Sequence, residues 1–346
     1  MRGVHNMPIL RPGKVPPELL DKHVFSHLGV RDAAVIHGPG IGRDAALIRV
    51  GRQVVVATTD PITGTVNQIG SYVLHICAND VATFGVEPRW FLTTILLPEN
   101  ADESLLKDIM ISMHTAAEDL NVSIIGGHTE ITTGLTRPIV IGFMLGITGK
   151  GEYVTSTAAK PGNTLILTKG VAIEGTAILA TERADQLRVK LGRGVVDRAQ
   201  QFIDRLSVVP EALKAMAMKA VTAMHDPTEG GVANGLHEIA DASGVGFVVH
   251  RNALVIHEET RKICQALDIN PLNLIASGAM IMAVKANKAK ELVQALEQEG
   301  ISASIIGHLV KDPSTRQIIE SNGSKARLHH TSEDALWTAL EKPLDD

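Results

Sequence analysis

The stretch GSYVLHICANDVATFGVEP, Gly70 to Pro88, restricts the fold more than any other part of the chain. It is bounded by glycine and proline and sets Val73, Ile76, Cys77 and Phe84 on one face at helical spacing, which predicts a helix packed into a core. Asp80 falls on that same stripe, with Asn79 beside it. An ionised carboxylate on a core-facing stripe is costly unless a cation meets it. The fold must therefore bring a cation, or something that carries one, to Asp80.

Around this helix the pattern is mixed. Short β-rich runs (VVVATT, FLTTILL, SIIGG, IVIGFMLGIT) alternate with helical patterns at Ser71–Phe84 and Glu103–Leu120. A small, polar segment with Pro161-Gly162, Thr155 to Thr164, then leads into the strand LILTKG. Beyond it, helical patterns near Glu174–Ala184, Val195–Leu206, Pro210–Ala220, Glu229–Ser243 and Lys288–Gln298 alternate with the strands GFVVH, AMIMAV and SASIIGHLV. A chain of 346 residues suits about two domains. The expected organisation is α+β in two domains, 31–155 and 156–340, after an extension over 1–30. SEDALWTALEKPLDD reads as a short amphipathic helix with an acidic tail.

Composition excludes several classes of function. A net charge of -5 argues against broad nucleic-acid binding, and 3% aromatics are too few for base-stacking platforms. No apolar run approaches the ~18–20 residues of a membrane span. MRGVHNMPILRPGK lacks the apolar core of a signal peptide. Cys77 and Cys264 sit in apolar helical contexts without metal-type spacing. A cytoplasmic location is expected.

Three more aspartates occupy special places. HGPGIGRDAALI has Gly38, Gly40 and Gly42 ahead of Asp44, a loop whose backbone N–H groups can approach a phosphate closely. Asp60 follows the apolar run VVVATT, with Pro61 expected to end the strand. Asp226 stands at a strand-to-helix turn in AMHDPTEGG. SIIGGHTEIT sets Gly126, Gly127, His128 and Thr129 at what reads as another strand end. Taken singly, each has a plainer reading: a glycine turn, an Asx-type turn at Asp60, a helix cap by Asp226 or Thr228, a hydrogen-bonded turn at His128. Taken together, Asp44, Asp60, Asp80 and Asp226 suit Mg2+ on nucleotide phosphates, because Mg2+ prefers carboxylate, water and phosphate oxygens. Such an ion would compensate Asp80. His225 and His128 are candidate acid–base groups on pKa grounds alone, with Glu130 and Lys169 fainter candidates.

The landmarks GIGRDAALI, TTDPITG, HICANDVATFGVEP, IIGGHTE, AAKPGNTLILTKG and MHDPTEGGVANGLHEIA, in this order, resemble the AIR synthase-related superfamily. It comprises aminoimidazole ribonucleotide synthetase, selenophosphate synthetase, thiamine-monophosphate kinase and the HypE hydrogenase maturation proteins. GKVPPELL, TKGVAIEGTAIL and GGHTEITTGLTRPIVIG are most similar to the HypE-like branch. The resemblance implies an N-terminal AIR synthase-like domain that dimerises through its β-sheet, and a C-terminal AIR synthase-like α+β domain closing an ATP cleft. It implies metal contacts at Asp44, Asp60, Asp80 and Asp226, and nucleotide contacts at Gly38, Gly40, Gly42, Asn79, Gly126, Gly127 and Thr129. It further implies phosphoryl transfer from ATP to a carbonyl- or amide-type oxygen, on a small or protein-bound substrate, with a maturation partner protein. A small-metabolite kinase and a non-catalytic ATP-binding assembly partner are the alternatives.

The sequence departs from the family pattern in three places. HypE proteins carry their carbamoyl group on a C-terminal cysteine, whereas this sequence reads EKPLDD there and its last cysteine is Cys264, so self-carried chemistry is not expected. Arg43 replaces an acid beside Asp44, losing an outer contact or adding a phosphate-facing cation. His128 stands where GGDT turns have aspartate.

Overall fold

A computed structural model describes residues 13–343. The readings of residues 1–12 and of the last three residues of the acidic tail lie outside the described residues. The strands form two sheets. In the first lie β1 (Val35–His37), β2 (Ala46–Val50), β3 (Gln53–Ile62), β4 (Pro88–Leu97), β5 (Ser123–Ile131) and β6 (Ile139–Gly149), in the order β1-β2-β3-β6-β4-β5. In the second lie β7 (Thr164–Thr168), β8 (Val221–His225), β9 (Gly246–His250), β10 (Ile281–Val284), β11 (Ala303–Val310), β12 (Arg316–Ile319) and β13 (Lys325–Arg327), in the order β13-β12-β9-β11-β7-β10-β8. Both sheets are mixed: β4 pairs β5 in parallel and β12 pairs β9 in parallel, and the other neighbours are antiparallel.

The helix Ile69–Thr83 packs on β3 and β6, and also touches the helix Val209–Ala217 of the second half. It is buried almost all round, which is why its apolar residues form no narrow stripe. Asn79 joins the two halves: its Nδ2 donates to the Leu206 carbonyl and its Oδ1 accepts from Val208 N–H, both at 2.8 Å. Helix Glu103–Asp119, capped by Asp102, crosses between the parallel strands β4 and β5.

Two strand readings need correction. Pro61 does not end β3. The strand runs on to Ile62, with Pro61 opposite Ile141 on β6, and proline is tolerated where its missing N–H leaves no ladder gap. Gly126–Thr129 is not a strand end but the interior of β5, an exposed edge strand. Gly127 answers to packing, since a Cβ there would overlap the Thr93 carbonyl of β4. Among the described residues no helix is long and apolar enough to cross a membrane.

Candidate active site

The site forms where the end of β8 meets the first sheet. Asp44 leaves the glycine loop after β1, Asp60 sits near the end of β3, Asp80 projects from the Ile69–Thr83 helix, and Asp226 follows β8. Gly42 holds the loop against the second half. Its φ is +68°, and a Cβ there would come within 2.8 Å of the Glu238 carbonyl. Ser156 Oγ donates to the Gly42 carbonyl at 2.5 Å.

Every expected aspartate is in the cluster. The Thr58 hydroxyl lies 2.6 Å from Asp80 Oδ2 and 2.8 Å from the Asp44 carbonyl. Burial raises the Asp80 carboxyl well above the usual range, and Asp60, Asp226 and Asp44 push it the same way. Burial likewise raises Asp226, helped by Asp44 and opposed by His225, and raises Asp60 despite contacts with Asp80 and Lys14. Without added positive charge, such close carboxylates hold on to protons.

His225 is clamped between two acids. Nδ1 is 3.0 Å from Asp44 Oδ1, and Nε2 is 2.9 Å from Glu238 Oε2. Its burial lowers the pKa, but Asp44 and Glu238 outweigh that and raise it well above the ordinary value. Both nitrogens of this buried imidazolium are engaged, so it fixes Asp44 and Glu238 and is not placed as a free general base. Glu238 in turn is held well below the usual range, Lys14 and His225 outweighing its burial. Lys14 Nζ donates to Thr228 Oγ1 at 2.9 Å and lies 3.3 Å from Glu238 Oε1.

Two cavities share Lys14, Arg43, Asp44 and Glu229 as lining. The larger, about 730 Å³, is bordered by Gly40–Asp44 and by Asn234, Glu238 and Asp241 of the helix Gly231–Ser243. The smaller, about 450 Å³, takes in Asp60, Asp80, Asp226, Glu174, Ser277 and Trp337. Arg43 folds back, its Nη1 donating to the Gly38 carbonyl at 2.9 Å.

A divalent cation fits these residues. Both oxygens of Asp226, which is 1% exposed, are buried without a hydrogen-bond partner. Ligand atoms of Asp44, His225 and Asp226 lie within 4.8 Å of one another. With both His225 nitrogens engaged by Asp44 and Glu238, the donors left are carboxylate oxygens, the set that suits Mg2+.

Other expected residues are not gathered here. The Asn79 amide is spent on backbone groups, and Gly38 lines neither cavity. Gly126, Gly127, His128 and Thr129 lie exposed on β5, where His128 Nε2 pairs with Glu130 Oε2 at 3.0 Å. Lys169 is a strut, its ammonium 2.7 Å from buried Glu211. Sequence reasoning missed Lys14, Glu238, Glu229 and Glu174. A signal existed for Glu238: Asn234, Glu238 and Asp241 form a polar stripe at helical spacing on an otherwise apolar helix. Lys14 carried none, because only the fold brings it across from an upstream segment.

Comparison with known proteins agrees with this architecture. Residues 42–148 match the AIR synthase related protein N-terminal domain, and 160–320 match the C-terminal domain. A putative hydrogenase expression/formation protein of Methanocaldococcus jannaschii is 28% identical over 309 residues, 87% of this chain and 89% of the relative. The carbamoyl dehydratase HypE of Azotobacter vinelandii is 28% identical over 268 residues, 75% of this chain and 76% of the relative. A HypE–HypF complex chain superposes with a TM-score of 0.73 at 21% identity, covering 90% of this chain and 99% of that one. A HypE in complex with ATP gives 0.72 at 19%, covering 94% and 97%. With both of its domain models matched in order along the chain, this chain belongs to the AIR synthase-related family.

Proposed function

We propose that this chain is a HypE-like, Mg2+-dependent ATP-using enzyme of metalloenzyme maturation that activates a carbonyl- or amide-type oxygen by phosphoryl transfer. The observation that carries this reading is the convergence of Asp44, Asp60, Asp80 and Asp226 from both halves, with the two Asp226 oxygens buried and unpartnered. Bound there, Mg2+ would neutralise phosphate charge as it shifts in the transition state. The four carboxylates would hold the ion, and the His225 imidazolium would keep Asp44 oriented. Backbone N–H groups of Gly40–Gly42, with Lys14 and Arg43, border the larger cavity and would face the phosphates. HypE relatives, one of them solved with ATP and one with HypF, support both the nucleotide and a partner protein.

The nucleotide role of Gly126–Thr129 requires a second copy of the chain, because β5 is exposed and lines neither cavity. The sheet face away from the helices presents half-exposed Trp90, Leu92, Leu96, Ile141, Phe143 and Leu145. A homodimer through this sheet would cover that face and the β5 edge together.

The test is ADP release from Mg-ATP, with and without carbonyl acceptors. The expected result is Mg2+-dependent turnover that an acceptor stimulates and that Asp226→Asn abolishes. Tight ATP binding with no stimulation by any acceptor or partner would point instead to a non-catalytic assembly role.

A further inference from the structure

Phosphoryl transfer to an amide-type oxygen also needs a proton acceptor, because that oxygen becomes a full nucleophile only as the adjacent N–H gives up its proton. Among the described residues, no histidine lines the smaller cavity, which holds the aspartate cluster. His225 has both nitrogens engaged, and Lys169 is tied to Glu211. Burial pushes the Glu174 carboxyl up to about 7, so it holds its own proton below that. A histidine with one nitrogen on a carboxylate and the other left over stands elsewhere, on β5.

His128 Nε2 lies 3.0 Å from Glu130 Oε2, and Thr132 Oγ1 donates to Glu130 Oε1 at 2.8 Å. Both carboxylate oxygens are engaged, and the hydrogen bonds from His128 and then Thr132 hold the Glu130 carboxyl below its ordinary value. An ionised Glu130 takes the Nε2–H and leaves Nδ1 as the proton acceptor of the ring. A carboxylate in that position orients an imidazole and stabilises the imidazolium it becomes.

This pair belongs to the uncovered sheet face. Residues opposite one another on neighbouring strands share a face. His128 pairs with Thr94, Thr94 with Ile141, and Ile141 with Pro61, one row across β5, β4, β6 and β3. Pro61, and Thr59 two residues before it, are exposed and line the smaller cavity, so the row ends at its mouth. Within one chain, β4 and β6 stand between β5 and β3, a span of about 14 Å at ~4.8 Å per strand. His128 therefore does not reach the cavity of its own chain. A two-fold axis parallel to the strands, between β6 and β4, lays β5 of each copy over β3 of the other and brings His128 to the row of Pro61. A charged pair beside Leu92, Leu96 and Ile141 is costly in a purely apolar contact, and it suits a cavity mouth.

We propose that the His128–Glu130 pair of each copy is the general base at the smaller cavity of the other copy. As the acceptor oxygen bonds to the terminal phosphorus of ATP and the bond to ADP breaks, the N–H proton of the acceptor passes to His128 Nδ1. Glu130 offsets the imidazolium that forms. The inference rests on the phosphoryl-transfer reading above and adds to it a catalytic residue that no copy provides for itself.

The test is a heterodimer of His128→Ala and Asp226→Asn chains, co-expressed with different tags and purified through both. One of its clefts joins an intact Asp226 to an intact His128 across the interface, and the other carries both substitutions. ADP release from Mg-ATP is measured with acetamide, benzamide and urea as acceptors. Expected is about half of wild-type turnover in the heterodimer, with each homodimer about a hundredfold slower or worse. In the His128→Ala homodimer kcat falls while Mg-ATP affinity by calorimetry stays within about twofold of wild type, and Glu130→Gln falls less. A heterodimer as slow as the homodimers, or His128→Ala turning over at the wild-type rate, would overturn the inference and spare the function. A wild type that turns over with none of these acceptors would overturn both.

Discussion

Asp80 sits inside a buried helix beside other acids, and burial with Asp60, Asp226 and Asp44 raises its carboxyl well above the usual range, a cost that the proposed cation would offset. The same logic makes Glu174 a stability liability. Burial pushes its carboxyl up to about 7, against about 4.3 in an unfolded chain. The folded state keeps a proton that the unfolded state has lost, so this stability is present below about pH 4.3 and disappears as pH rises through 7. Glu174→Gln should therefore stabilise the ligand-free protein at pH 8 by on the order of 3 kcal/mol, with the gain shrinking toward pH 5. Denaturant melts at the two pH values measure this; an equal shift at both would contradict it. Lys14 is the complementary case, since its ammonium neutralises Glu238 and faces the shared cavity lining. Lys14→Ala should weaken Mg-ATP binding about tenfold while moving the melting temperature little, because the Lys14 side chain is itself 53% exposed.

Elements were legible where one period or one turn decided them. The helix Ile69–Thr83 announced itself through glycine, proline and helical spacing, and the helix Glu103–Asp119 through its helical pattern. β5 was misjudged because Gly126-Gly127 reads as a turn in isolation, whereas the close approach of β4 demands glycine at 127 within a strand. Asn79 is a nucleotide contact only by the family resemblance; its amide instead meets Leu206 and Val208, about 130 residues away in sequence, and no local pattern reveals them. Asn79→Ala would leave both backbone groups unpaired and should cost about 2–4 kcal/mol by urea denaturation. A cost below about 0.5 kcal/mol would mean that water or relaxation replaces this strut. The four aspartates were readable as a set because each occupies an odd position, while Glu174 and Lys14 became site residues only through tertiary contact.

At the scale of the molecule, the two halves meet so that the acid cluster straddles their junction, and β5 with one sheet face is left uncovered. Ile125 is 53% and Ile131 64% exposed on that edge strand. If a second copy covers them, Ile131→Asp should shift the protein from dimer to monomer in light scattering and lower Mg-ATP turnover in parallel; a wild-type monomer with full turnover would refute that arrangement. The claim on which the rest depends is that the buried aspartates exist to hold a metal on nucleotide phosphates. It is tested most directly by calorimetric titration of ATP into the protein with and without Mg2+, beside Asp80→Asn. Binding that requires Mg2+ in the wild type and is lost in the variant, which keeps its shape and burial, is the expected result. ATP binding that ignores Mg2+, or survives the substitution unchanged, would contradict it.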